Sequence, residues 1–186
     1  MPNPLVRLGK ELKEASEHPD PDIHLELYDP ATEASNTAAA APPAPLLPSS
    51  SSSSQPNLYR WLAVLRGPPD TPYEGGSYRL VLNIPRDYPL VPPKAAFITP
   101  VFHPNVEFTT GNVCLDILKR RWSPVWTLSS VCRAIVNLLA EPESDSPFNC
   151  DAGNLLRAGD REGFESLVRY YAITAAGAPA FTDDST

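Results

Sequence analysis

Cys114 stands in the run Gly111-Asn112-Val113-Cys114-Leu115-Asp116-Ile117-Leu118, nine residues past Asn105 of His103-Pro104-Asn105 and eight before Trp122-Ser123-Pro124. One short stretch thus offers a thiol, an amide side chain that can donate hydrogen bonds, and a carboxylate two residues past the thiol. Thioester chemistry asks for such a set: a thiolate-capable nucleophile, and a donor to steady the oxyanion that forms on the attacked carbonyl. A lone Cys is more often a small buried hydrophobe. Around Cys114, however, Gly111 and Asn112 are turn residues, and neither a helical nor an alternating period runs through the site. The chemical reading is the stronger one here.

The elements that must hold this stretch follow from periodicity. Leu5, Leu8, Leu12 and Ala15 form a stripe at helical spacing, with Arg7, Lys10, Glu11, Lys13 and Glu14 on the remaining surface. This predicts an amphipathic helix that stops before Pro19. Ile23, Leu25 and Leu27 alternate with polar neighbours as a strand does. From Ala31 to Pro56 the composition turns to Ala, Pro and Ser, and Leu46 and Leu47 are its main large apolar residues. Such a stretch buries too little to offset its ordering entropy, so a disordered loop inserted between two strands is expected at about 31–56.

Leu58 to Leu65 and Tyr78 to Ile84 read as antiparallel strands across a Gly/Pro turn, and Ala95 to Ile98 as a fourth, fenced by prolines. Phe102 to Trp126 is a long irregular stretch holding the proposed chemistry. Thr127 is a plausible N-cap for a helix with Leu128, Val131, Cys132, Ile135, Leu138 and Leu139 on one face, which makes Cys132 a core residue. Asp151 and Asp160 are candidate N-caps for two more helices, the second with Phe164, Leu167, Val168 and Tyr171 at matching spacing. A helix, four consecutive strands, then helices is an α+β plan.

Composition narrows the function. At 186 residues the chain can bury the core of one domain, and 23 Pro is a high count. A net charge of −7 argues against nucleic acid or an anionic membrane as partner, since both need basic surface. Lys119-Arg120-Arg121 is the one compact basic cluster and reads as a solvated loop. Three Cys without C-x-x-C spacing fit neither a zinc site nor a disulfide framework. Met1-Pro2-Asn3-Pro4 has no apolar signal core, and no run has the length of a membrane span. A soluble cytoplasmic protein without direct membrane insertion is the expectation.

Six short strings occur in one order: Arg66-Gly67-Pro68-Pro69, Pro72-Tyr73-Glu74-Gly75-Gly76, Tyr88-Pro89-Leu90-Val91-Pro92-Pro93-Lys94, His103-Pro104-Asn105, Cys114-Leu115-Asp116 and Trp122-Ser123-Pro124. Together they resemble the signatures of ubiquitin-conjugating (E2) enzymes. The resemblance implies their fold: an N-terminal helix, a four-stranded antiparallel sheet and C-terminal helices, as one catalytic domain over 1–175 with a flexible tail at 176–186. It implies that Cys114 accepts ubiquitin by transthiolation from the E1 activating enzyme. ATP is used upstream by that enzyme, so no cofactor or metal is expected here.

Asn105 is then the oxyanion donor, or a residue that shapes the loop through backbone bonds; both stay open. His103 and Pro104 are implied to be structural rather than catalytic. Asp116 is implied to orient or deprotonate the incoming nucleophile, with a solvated or capping carboxylate as the alternative. Relatives often carry an Asp just before a Pro beside the active site. Here Ser146-Pro147 stands there, with Asp145 one step earlier, and serine is a poor substitute for a general base. Leu90, Pro124 and Val125 match positions that meet a RING-type E3 ligase, ordinary loop packing being the alternative. Asn105 to Cys114 is one residue longer than usual, which should enlarge the loop Val106 to Thr110.

The C-terminal third, Glu141 to Pro147, then Asp151-Ala152-Gly153-Asn154-Leu155-Leu156-Arg157 and Gly159-Asp160, is similar to the peroxisomal branch of the family. Members of that branch are recruited to the cytosolic face of the peroxisomal membrane by an anchored peroxin. They ubiquitinate the cycling import receptor, characteristically on a cysteine. Rival readings are an inactive E2-like module that only binds ubiquitin or a partner, and an E2 of another pathway or modifier. A cysteine hydrolase fits least, because no His-plus-orienter pair accompanies Cys114.

Overall fold

The computed structural model describes residues 3–29, 57–114 and 122–179. The expected insertion at 31–56, Asp116, the basic cluster Lys119 to Arg121 and the end of the tail lie outside the described residues. Eight elements follow in order: α1 (Pro4–Glu17), β1 (Ile23–Leu27), β2 (Arg60–Arg66), β3 (Ser77–Asn83), β4 (Lys94–Phe97), α2 (Leu128–Ala140), α3 (Cys150–Arg157) and α4 (Arg161–Ala176). The strands pair antiparallel in sequence order, the α+β arrangement expected.

Register puts every second side chain on the same face. Trp61, Ala63 and Leu65 of β2, Tyr78, Leu80 and Leu82 of β3, and Ala95 and Phe97 of β4 therefore turn together into the core. β1 spans the expected Ile23 to Leu27, and the other three strands run a residue or two away from the expected bounds, because ladder partners rather than composition set their ends. Ile84, expected to close β3, has left the ladder, although its N–H still reaches the Tyr59 carbonyl at 2.8 Å.

α2 packs against β1 and β2 and buries Leu128, Val131, Cys132, Ile135, Val136, Leu138 and Leu139. Its N-terminus carries the expected Thr127 cap, strengthened by Ser130 in a reciprocal capping box. Asp160 caps α4 as expected, accepting from the Gly163 N–H at 2.9 Å. Asp151 does not cap α3. Asn149 does, accepting from Ala152 N at 3.2 Å, and Asp151 lies in the first turn, where its charge favours the helix N-terminus. On α4 the apolar stripe is Phe164, Val168, Ala172 and Ala176, and Leu167 is exposed. The expected tail begins in folded structure: Ala178 is buried, with its N–H on the Ala172 carbonyl at 2.9 Å.

α1 departs from its reading in an informative way. Leu8 is fully buried while Leu5 is exposed, and Glu11, assigned to the surface, is buried. No described helix is long and apolar enough to cross a membrane.

Candidate active site

Three stretches meet at the candidate site, and backbone bonds around His103-Pro104-Asn105 tie them together. His103 is fully buried. Its Nε2 lies 2.9 Å from the Leu138 carbonyl of α2, and its Nδ1 accepts from the Asn105 N–H at 3.0 Å. These bonds fix the tautomer with the proton on Nε2 and leave no nitrogen for Cys114. Pro104 then accepts from two N–H groups, Phe148 at 2.8 Å and Asn149 at 3.0 Å. The segment after α2 is thereby docked on the motif.

Asn105 completes the junction. Its Nδ2 donates to the Glu143 carbonyl at 2.9 Å and its Oδ1 accepts from the Glu143 N–H at 2.8 Å, so the side chain satisfies both backbone polar groups of one residue. Its own carbonyl accepts from the Cys114 N–H at 2.8 Å. One residue thus couples the thiol-bearing strand end to the 143–149 segment.

The residue added between Asn105 and Cys114 is absorbed in a closed turn. Val106 pairs with Val113, Glu107 N–H meets the Asn112 carbonyl at 2.9 Å, and Gly111 N–H meets the Glu107 carbonyl at 2.8 Å. The Glu107 carboxylate accepts from the Thr110 hydroxyl and from Asn112 Nδ2, and these bonds hold it below the usual carboxylate range. Gly111 is obligatory. Its φ of +72° suits glycine, and a Cβ there would lie 2.0 Å from the Phe97 carbonyl oxygen. Phe108 at the turn's tip sits edge-on to Tyr171 of α4, with centroids 5.2 Å apart. Lengthening therefore adds a propped turn, and the contact between Asn105 and Cys114 survives it.

Cys114 emerges from this frame half-buried, the exposure a thiol needs to meet a bulky acyl donor. Cys132 is unsuited to it: fully buried, its thiol is pushed up to about 12 by desolvation. Cys150 is exposed at the start of α3, outside the frame. Ser146 and Asp145 are both exposed between the two anchors that dock their segment, Glu143 on Asn105 and Phe148 on Pro104. Asp116 lies outside the described residues. Leu90, Pro124 and Val125 are exposed, Val125 at 82%. Trp122, whose indole N–H donates to the Pro89 carbonyl at 2.9 Å, braces the loop bearing Leu90.

Sequence reasoning missed Glu143, which acts only through its backbone and so leaves no side-chain signal. It also missed Glu11. A carboxylate three residues past Leu8 and beside Leu12 falls on the apolar stripe, and that misfit is the signal that could have found it.

Two expectations follow from the frame. Burial pushes the His103 imidazole down to about 4. The unfolded chain then binds a proton that the folded one refuses, so His103 costs stability as pH falls from about 6.5 towards 4, by roughly 3 kcal/mol over the window. Urea midpoints at pH 7.5, 5.5 and 4.5 should fall accordingly, and less steeply in His103→Asn. With Cys114 as the acyl carrier that the sequence leads one to expect, Asn105→Ala should slow transfer by about tenfold through misplacement of the 143–149 segment, less than the roughly 10² that a 1 Å misplacement can cost. Loss of an oxyanion donor would cost about 10²–10³, so transfer rates of the purified adduct separate the two roles.

Comparison with known proteins places these features. The model of the family described as "Ubiquitin-conjugating enzyme" matches residues 32–172. Protein PEROXIN-4 of Arabidopsis thaliana is 58% identical over 120 residues, which cover 64% of this chain and 76% of the relative. The ubiquitin-conjugating enzyme pex4 of Dictyostelium discoideum is 57% identical over 115 residues, covering 62% and 77%. A ubiquitin conjugating enzyme from Plasmodium yoelii superposes with a TM-score of 0.75 at 30% identity, covering 96% of this chain and 99% of that one.

Proposed function

The chain belongs to the ubiquitin-conjugating enzyme family, and we propose that Cys114 carries its thioester and that its acceptor is the import receptor cycling at the peroxisomal membrane. As a family member it is a transferase that works between an activating enzyme and a ligase, with ubiquitin as cargo. In the proposed first step the Cys114 thiolate attacks the carbonyl of ubiquitin held on the activating enzyme's cysteine. The carbon–sulfur bond to that enzyme breaks as the bond to Cys114 forms, and the activating enzyme leaves as thiolate. In the second step an acceptor thiol or amine attacks and gives up its proton to solvent, the acyl group moves to it, and Cys114 departs as thiolate. Asn105 holds the 143–149 segment beside the reacting sulfur, and the exposed Leu90, Pro124 and Val125 receive a RING-type ligase.

The observation that supports the peroxisomal reading is the 58% and 57% identity to two relatives named PEROXIN-4 and pex4. Recruitment through a membrane-anchored peroxin belongs to the same proposal. Peroxisomes purified from cells expressing the tagged chain provide the test. The chain should copurify with one integral membrane protein, and a reductant-sensitive ubiquitin adduct on the receptor should vanish when Cys114→Ala replaces the wild type. A receptor still modified in Cys114→Ala cells would refute the substrate, and a chain spread through the cytosol would refute the recruitment.

A further inference from the structure

Among the described residues Glu11 is the one buried carboxylate, only 6% exposed, and its partners come from three parts of the chain. Oε1 accepts from Arg7 Nε at 2.5 Å and from the Tyr88 hydroxyl at 2.7 Å. Oε2 accepts from the Leu128 N–H, the first of α2, at 2.8 Å. Arg7 Nη2 continues to the Trp126 carbonyl at 3.1 Å, and the Tyr88 hydroxyl lies 3.5 Å from the same oxygen. Burial raises the Tyr88 phenol above its ordinary range, and Glu11 adds to the shift, so Tyr88 remains a donor.

The two segments held in this way end in exposed apolar residues: Leu90 at 58% and Val91 at 44% after Tyr88, and Val125 at 82% before Trp126. The rings of Tyr88, Trp122 and Trp126 follow one another at 6.1 and 6.3 Å beneath them. A buried charge is a poor device for stability, since well-packed apolar residues of like volume often serve as well or better. Its hydrogen bonds do have direction, which an apolar side chain lacks, so Glu11 fixes where each segment sits relative to the other.

We propose that Glu11 is a positioning residue: from inside the fold its carboxylate sets the loop of Tyr88 to Val91 against the turn of Pro124 to Leu128, and so shapes the paired surface that a RING-type ligase grips. The proposal rests on reading those segments as ligase-facing. Glu11 thereby acts on ligase response from a buried position.

The test labels Trp61, Trp122 and Trp126 with 5-fluorotryptophan and compares the wild type with Glu11→Gln and with Tyr88→Phe, which deletes a single hydroxyl. The Trp122 and Trp126 resonances should shift or broaden in both variants, while Trp61, fully buried in β2, stays put. From a panel of purified RING domains, the one that best stimulates the wild-type thioester serves as probe. Stimulated discharge should fall about tenfold, less than the roughly 10² that a 1 Å misplacement can cost, with ligase-free discharge unchanged. Unmoved Trp122 and Trp126 signals would overturn the proposal, as would ligase-free and stimulated rates falling together. Leu90→Ala and Val125→Ala, made with Glu11 intact, test the ligase surface separately: an undiminished ligase response in both would sink that reading alone.

Discussion

Cys114→Ser is expected to abolish the reductant-sensitive ubiquitin adduct and to leave in its place a slowly formed one that survives reductant. The hydroxyl is a far weaker nucleophile than a thiolate at neutral pH, so the first transfer slows by orders of magnitude. Once formed, an oxygen ester exchanges onto a thiol much less readily than a thioester, and the product accumulates. Cys132→Ala and Cys150→Ser should both charge normally. Cys132 is sealed in α2 against the sheet, and Cys150 sits at the start of α3, outside the Asn105 frame. Gel shifts with and without reductant, using activating enzyme, ATP and ubiquitin, distinguish all three. A reducible adduct on Cys114→Ser, or its loss in Cys150→Ser, would move the nucleophile elsewhere.

That the setting of Cys114 outside any core element was legible from sequence while the burial of Glu11 was not has a physical basis. A thiol after a turn announces itself locally: Gly111, which alone tolerates the Phe97 carbonyl at its Cβ position, and Asn112 interrupt any period through it. The helix α2 was equally legible, because a stripe of seven buried residues and a Thr127 cap are local signals. The junctions were not. Asn105 meets Glu143 across 38 residues, and Glu11 meets Tyr88 and Leu128 across 77 and 117. Such bonds exist only once the sheet has been built. The cap of α3 failed on a finer scale, since Asn149 and Asp151 are both good caps and the choice fell to Asn149, whose N–H is bonded to Pro104. For Asn105 the sequence left two roles open, and the structure shows the loop-shaping bonds in place.

The acceptor preference follows from what stands at position 146. With reference values of about 10.4 for a lysine amine and 8.5 for a thiol, the reactive thiolate fraction at neutral pH exceeds the free-amine fraction about 80-fold. An amine therefore gains most from a nearby general base, and the exposed Ser146 supplies only a hydroxyl. Its segment is pinned on Asn105 and Pro104, and Asn105 also holds Cys114, so a side chain at 146 reports to the reacting sulfur through two short links. Purified thioester should discharge to free cysteine faster than to free lysine by a margin of about 80-fold or more at pH 7, narrowing as pH rises and the amine loses its proton. Ser146→Asp should speed the lysine reaction about tenfold, short of the roughly 10²–10⁴ that a fully positioned general base contributes, and leave the cysteine reaction nearly unchanged. Rates for both acceptors at three pH values decide the matter. Equal rates in the wild type would show that proton removal does not limit transfer, and a Ser146→Asp that stays silent with Asp116→Ala in place would show that position 146 does not reach the incoming nucleophile.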